Sequence, residues 1–230
     1  MKDVTDYALR GGKRLASCST LLTYKGFTND VNEQILDVCT GVELYRHAIL
    51  VTTISLTATS YGVEPAPFKR CTLSAMTTVA GVAVFTGNIL YTLALKAMMR
   101  TDFETNKIAK ILTMLNNAFQ AVNDSQLLDL LFEYKIPDVH EWYIMASKRA
   151  ASLFNASLGI GAVLAEASER DVQLLEVAAL PIGYCFDIQD DIIDTFAEEE
   201  QYGRRPARIC TSTRNRSTLS TPTKWPIGRS

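Results

Sequence analysis

The chemistry of this chain is concentrated in Gly183-Tyr-Cys-Phe-Asp-Ile-Gln-Asp-Asp-Ile-Ile-Asp194. Asp187, Asp190, Asp191 and Asp194 recur at spacings of three and four, so a helix stacks their carboxylates on one face. Phe186, Ile188, Ile192 and Ile193 leave another face apolar. Stacked like charges repel, and a cation relieves the repulsion. A ligand set of oxygens alone, without histidine or cysteine, suits Mg²⁺ bound through carboxylates and substrate phosphates. The alternative is a solvated acidic helix end running into Glu198, Glu199 and Glu200.

Three weaker features accompany it. Gly11-Gly12-Lys13-Arg14 sets two cations after a glycine pair, which suits close approach to a phosphate: lysine gives a point charge and arginine a fork. A flexible basic turn reads the same way. Lys148-Arg149 lies within an apolar run, where a snorkelling lysine is the competing explanation. Gln126 and Asp129 are three apart on one helical face, which alone carries little meaning.

These residues need helices to hold them. Helical periodicity dominates and strand-like alternation is scarce. The spacing predicts helices near 3–24, 31–50, 70–100, 105–120, 125–134, 139–167 and 170–196. Gly26, Val63–Pro67 and Ile136-Pro137-Asp138 read as connectors. A chain of 230 residues with 47% hydrophobic residues can bury a sizeable core. The net charge of −2 offers no basic field for nucleic acid. Five scattered cysteines without a CxxC pair read as reduced thiols of a cytoplasmic protein. Met1 to Asp6 has no apolar core, so it is not a signal peptide. Cys71 to Leu95 is uncharged and long enough to span a bilayer. Its threonines, with Ser74 and Asn88, favour a buried helix of a protein that is not integral to a membrane. After Gly203 the periodicity ends, and 204–230 reads as an aberrant, disordered tail behind a helical domain of 1–203.

In this order and at these separations the features resemble the trans-polyprenyl diphosphate synthase family, the all-α isoprenoid prenyltransferases. The family's glycine-glycine-lysine-arginine motif matches 11–14, and its glutamine-x-x-aspartate-leucine motif matches 126–130. Its helix lysine matches Lys148, its second aspartate-rich motif matches Asp190, Asp191 and Asp194, and Glu43-Leu44 matches the helix leading to its first. The resemblance implies a single all-α helical bundle of the isoprenoid synthase type around a central cavity. It implies a homodimer that uses Mg²⁺ to condense isopentenyl diphosphate with an allylic diphosphate. It casts Lys148, Asp190 and Asp191 as catalytic and Asp190, Asp191 and Asp194 as metal ligands. Gly12, Lys13, Arg14, Arg46, Gln126, Lys148 and Asp187 become substrate-binding residues. Small Ala48, beside Ile49 where such proteins gate product length, leans towards a longer product.

The departures are specific. Ala16 replaces an arginine, Arg46 a common histidine, Gly87-Asn88 a glycine-aspartate pair, and Arg149 a threonine. The first aspartate-rich motif is absent, because Thr52 to Val63 carries no charge. A non-catalytic subunit partnering an active synthase is one explanation. A shifted reading frame is the other. With permitted codons for Val51 to Val63, reading one base early yields HDDIFDSDKLRR, the missing motif with its arginine pair. The same shift over Arg208 to Ser230 permits DMYEHKEPLYVVYAHKVADRAE, an apolar helical segment in place of the tail. The loop around 52–63 and the tail after 204 are expected to be the least well-packed parts.

Overall fold

The computed structural model describes residues 12–61, 80–132 and 134–196; of 54–61, 80–83 and 194–196 it describes the backbone alone. Among the described residues there are seven α-helices and no strand. They are α1 (Leu15–Thr28), α2 (Glu33–Tyr61), α3 (Ala80–Met99), α4 (Thr105–Leu131), α5 (Val139–Lys148), α6 (Ala150–Leu164) and α7 (Glu169–Phe196). The all-α expectation holds.

Local chemistry explains several starts and stops. Asn32 accepts from the Ile35 backbone N–H at 2.9 Å just before α2. Asp138 and Glu141 form a reciprocal capping box at α5. Ser168 exchanges hydrogen bonds with Asp171 at the head of α7. Asn29, in the left-handed conformation, closes α1 and donates its N–H to the Lys25 carbonyl.

The core draws on one stripe from each of several helices. Ile35, Val38, Val42 and Tyr45 of α2 meet Ala94 and Met98 of α3, Ile111 and Leu115 of α4, and Ile160 of α6. α2 packs along α3, α1 bridges α2 and α6, and α6 lies against α4 and α7. Gly161 makes the α1–α6 approach possible, since a Cβ there would meet the Thr20 carbonyl oxygen at 2.4 Å. Thr20 Oγ1 in turn donates to the Ser157 carbonyl at 2.9 Å.

The helix boundaries differ from the sequence expectation in instructive places. Gly26 is not a connector but lies in the last turn of α1, where nothing crowds it. The predicted 105–120 and 125–134 helices are one element, within which Ser125 is buried and donates its hydroxyl back to the Val122 carbonyl. The predicted 139–167 helix is two, broken at Arg149. The helix of 31–50 runs on to Tyr61, so 52–61 is helical backbone, not loop. Thr52 there packs against the Gly87 backbone and returns its hydroxyl to the Ala48 carbonyl. The expected buried helix at 71–95 is amphipathic where described: Leu90 and Ala94 are buried, while Phe85 and Ile89 face out. Among the described residues no helix is long and apolar enough to cross a membrane. The Val63–Pro67 connector and the 204–230 tail lie outside the described residues.

Candidate functional site

The break at Arg149 organises the chemistry. α5 ends at Lys148 and α6 begins at Ala150, with Arg149 at φ −92 and ψ −106 between them. Ser152 Oγ donates to the carbonyls of Lys148 and Arg149 at 2.8 and 2.9 Å, satisfying acceptors that the interruption exposes. A new helix start also frees amide donors, and the Ala150 N–H stands near enough to the Asp187 carboxyl of α7 to favour its charged form. The two elements meet closely because Gly183, one turn before Asp187, has no side chain. A Cβ at Gly183 would lie 2.2 Å from Ala151 Cα and 2.3 Å from its nitrogen.

Asp187 is therefore buried, and burial, foremost, pushes its carboxyl up to about 6. Asp191 and Asp190 push in the same direction, while the Arg149 guanidinium and the Ala150 N–H oppose them. Asp187 Oδ2 and Arg149 Nε are both buried without a hydrogen-bond partner. Arg149 Nη2 donates to Met145 Sδ at 3.1 Å and stands 4.0 Å from Asp129 Oδ1 of α4. Lys148 Nζ donates to Asp124 Oδ2 of α4 at 2.8 Å, with both side chains partly exposed. Gln126 lies between Asp124 and Asp129 on α4 and is half-buried. Thus the α4 segment, the Lys148-Arg149 break and the α7 aspartates, separate motifs in sequence, share one corner.

A second group forms where α1 meets α2. Glu43, only 8% exposed, accepts from Arg14 Nη1 at 3.2 Å and from Arg46 Nη1 at 3.1 Å, both on Oε1. Ser17 Oγ donates to Oε2 at 3.0 Å. His47 Nδ1 lies 2.7 Å from the Glu43 carbonyl oxygen, which can only accept, so Nδ1 carries the proton. Burial holds His47 below its ordinary range, which keeps the ring neutral at pH 7. Arg14 has a left-handed backbone, φ 53, at the threshold of α1. Gly12 and Lys13 precede it in exposed coil.

Asp190 and Asp191 are half-buried on α7; the Asp194 side chain lies outside the described residues. Among the described residues no three metal-ligating side chains converge. The donor set nevertheless fits Mg²⁺. Asp190 and Asp191 present only oxygen, and their charge is concentrated enough to raise Asp187. A recess of about 300 Å³ on α3, lined by Phe85, Ile89 and Lys96, is built from other residues. Sequence reasoning passed over Asp124, Ser17 and the bridging part of Glu43. Asp124 had a signal only in its place two residues before Gln126, and the other two had none.

Comparison with known proteins identifies the family. A family model described as polyprenyl synthetase matches residues 69–208, more than half of the chain. The chain is 30% identical over 196 residues to a short chain isoprenyl diphosphate synthase of Methanocaldococcus jannaschii, covering 84% of this chain and 57% of the relative. It is 29% identical over 126 residues to a geranylgeranyl diphosphate synthase of Sulfolobus acidocaldarius, covering 54% and 38%. The chain thus spans less than two thirds of the curated relatives it matches. The geranylgeranyl pyrophosphate synthetase of Pyrococcus horikoshii superposes with a TM-score of 0.74 at 24% identity, over 89% of this chain and 61% of that one. A geranyltransferase of Helicobacter pylori, solved with magnesium and isoprenyl diphosphate, gives 0.72 at 20% identity, over 88% and 68%. The structural likeness carries the fold, and the family match carries membership: the chain belongs to the polyprenyl synthetase family.

Proposed function

We propose that this chain is built for prenyl transfer, joining isopentenyl diphosphate to an allylic diphosphate to make a longer prenyl diphosphate. The observation that supports the reading is the helix break itself, where Lys148 pairs with Asp124 of α4 while the adjacent Arg149 faces Asp187 of α7, one turn before Asp190 and Asp191. Lys148 is held by one carboxylate, Asp124, in a partly exposed pair. An incoming diphosphate, with more charge than Asp124, can replace it as acceptor. The ammonium then stabilises the diphosphate as the allylic carbon–oxygen bond breaks and the electron pair leaves with oxygen. Arg14 and Arg46, with Lys13 beside them, hold the second diphosphate. The double bond of isopentenyl diphosphate forms the new carbon–carbon bond to the allylic cation, and a proton lost to the released diphosphate completes the product. The buried faces of α2, α4 and α6 keep water from the cation. Asp190, Asp191 and Asp194 would hold Mg²⁺, which when bound neutralises diphosphate charge.

Asp187 serves this reading from behind. It is buried against the start of α6 rather than reaching outward, which supports a positioning role more than direct substrate contact. A second copy covering Phe85 and Ile89 of α3 gives the homodimer, and free Cys18, Cys39 and Cys185 suit the cytoplasm.

With the first aspartate-rich motif missing between Thr52 and Val63, the chain supplies one metal-binding helix instead of two. Losing about 4 kcal/mol of charge stabilisation slows turnover about a thousandfold. The test is Mg²⁺-dependent incorporation of labelled isopentenyl diphosphate. The proposal expects weak but Lys148-dependent incorporation, abolished by chelator. Incorporation unaffected by Lys148→Ala would contradict it.

A further inference from the structure

We propose that Glu43 is a positioning residue that pre-arranges Arg14 and Arg46 as one fork for the diphosphate of isopentenyl diphosphate. The inference rests on the prenyl-transfer reading above. A carboxylate beside an anion site weakens the attraction for the anion, so its presence calls for a reason. The geometry supplies one. Oε1 of the nearly buried Glu43 accepts from Arg14 Nη1 at 3.2 Å and Arg46 Nη1 at 3.1 Å, joining side chains from α1 and α2 at one atom. The other oxygen is fixed by Ser17 Oγ at 3.0 Å, and that hydroxyl also lies 3.1 Å from the Arg14 carbonyl oxygen. Glu43 thus holds one end of each guanidinium, and the Arg14 backbone is held in its left-handed turn by the same serine.

Arginine pays rotational freedom when it orders around a ligand, and a side chain ordered beforehand loses less on binding. Both arginines remain partly exposed, at 30% and 27%, so a ligand can reach them while Glu43 stays covered. Their planar guanidiniums carry further donors matched to phosphate oxygens. His47 is kept neutral by burial, so Arg14, Arg46 and Glu43 sum to one positive charge, with exposed Lys13 beside them. Arg46, from α2, adds the second arm of the fork.

Charge and orientation predict opposite signs, which makes the test decisive. Isopentenyl diphosphate is titrated calorimetrically into the full chain and into Glu43→Gln and Glu43→Asp, each checked for folding by circular dichroism and measured well below its thermal midpoint. If Glu43 merely dilutes positive potential, E43Q binds tighter. Orientation predicts binding weakened about tenfold in E43Q. It also predicts weakening in E43D, where the charge is kept but the carboxylate is drawn back by one methylene. E43D alone decides the matter if E43Q does not fold. Wild-type binding with both variants unchanged or tighter overturns the positioning role and leaves the prenyl-transfer reading standing. Absence of wild-type binding overturns that reading and this inference together.

Discussion

Gly183→Ala tests whether the contact between α6 and α7 really sets the site. Helix propensity alone favours the change by roughly 1 kcal/mol, because alanine loses less backbone entropy in a helix interior. The packing opposes it. The new Cβ would stand 2.2 Å from Ala151 Cα, 2.3 Å from its nitrogen and 2.5 Å from its Cβ. Carbon atoms pack at about 3.5–4.0 Å, so α7 must retreat by roughly 1.4 Å. Two of the three obstructing atoms are backbone and cannot rotate aside. Overpacking of this kind costs typically 1–3 kcal/mol, and the rigid neighbours place this case at or beyond the upper end. A net loss of about 2 kcal/mol lowers the thermal midpoint by about 4–8 °C for a chain of this size. The retreat also draws Asp187 away from the Ala150 N–H, so Mg²⁺-dependent pyrophosphate binding should weaken in the protein that remains folded. Gly26→Ala is the control: nothing lies within 4 Å of its Cβ position, and it should gain about 0.5–1 kcal/mol. Scanning calorimetry of both variants suffices. A G183A protein that melts at or above the parent, as G26A should, would refute the packing argument.

Other outcomes follow from the same contacts. Asp187 has its carboxyl raised from 3.8 to about 6, so between those values the folded chain keeps a proton that the unfolded chain has lost. Stability without Mg²⁺ should therefore fall as pH rises from about 4 to about 6. Asp187→Asn removes this penalty, and should melt higher than the parent at pH 7 by about 1–2 kcal/mol, but not at pH 4; an equal offset at both would contradict the burial argument. Lys148→Ala removes only a partly exposed ion pair, worth at most about 1 kcal/mol, so its midpoint should barely move. Its pyrophosphate affinity should drop about tenfold or more, and calorimetry that finds the affinity intact would remove Lys148 from the site. Replacing 52–63 by HDDIFDSDKLRR and 209–230 by DMYEHKEPLYVVYAHKVADRAE should raise incorporation of isopentenyl diphosphate and the thermal midpoint together. A soluble, folded repaired protein improved in neither respect would end the reading-frame account.

Much of the fold was legible because its signals are local. The Ile136-Pro137-Asp138 connector marks where α5 begins, and the three-and-four rhythm of the α7 aspartates shows their common face. The helix break at Arg149 was not legible, since an apolar run containing Lys148 and Arg149 has the same periodicity whole or broken. What surrounds the break is tertiary: buried Asp187 of α7 stands by Arg149 and the Ala150 N–H, and Gly183 lets the two helices close. Asp187 illustrates the same limit. Its spacing groups it with Asp190 and Asp191, yet its rotation about α7 turns it inward among neighbours that spacing does not reveal. Glu43 could be matched to a helix by resemblance, but its hold on Arg14 and Ser17 spans 29 and 26 residues of chain and exists only once α1 lies on α2. The uncharged 52–63 stretch, beyond the helix expected over 31–50, reads as loop. Thr52 nonetheless fits beside Gly87 and the helix continues to Tyr61.

The central claim is that the Lys148 corner and the α7 aspartates form one diphosphate site. A crystal structure of the full chain with Mn²⁺ and inorganic pyrophosphate tests it most directly, because anomalous scattering locates the metal independently of the protein chemistry. The account predicts a manganese peak on Asp190, Asp191 and Asp194, with a pyrophosphate oxygen taking the place of Asp124 at Lys148 Nζ. Manganese bound elsewhere, or pyrophosphate bound while the Lys148–Asp124 pair stays intact, would contradict it.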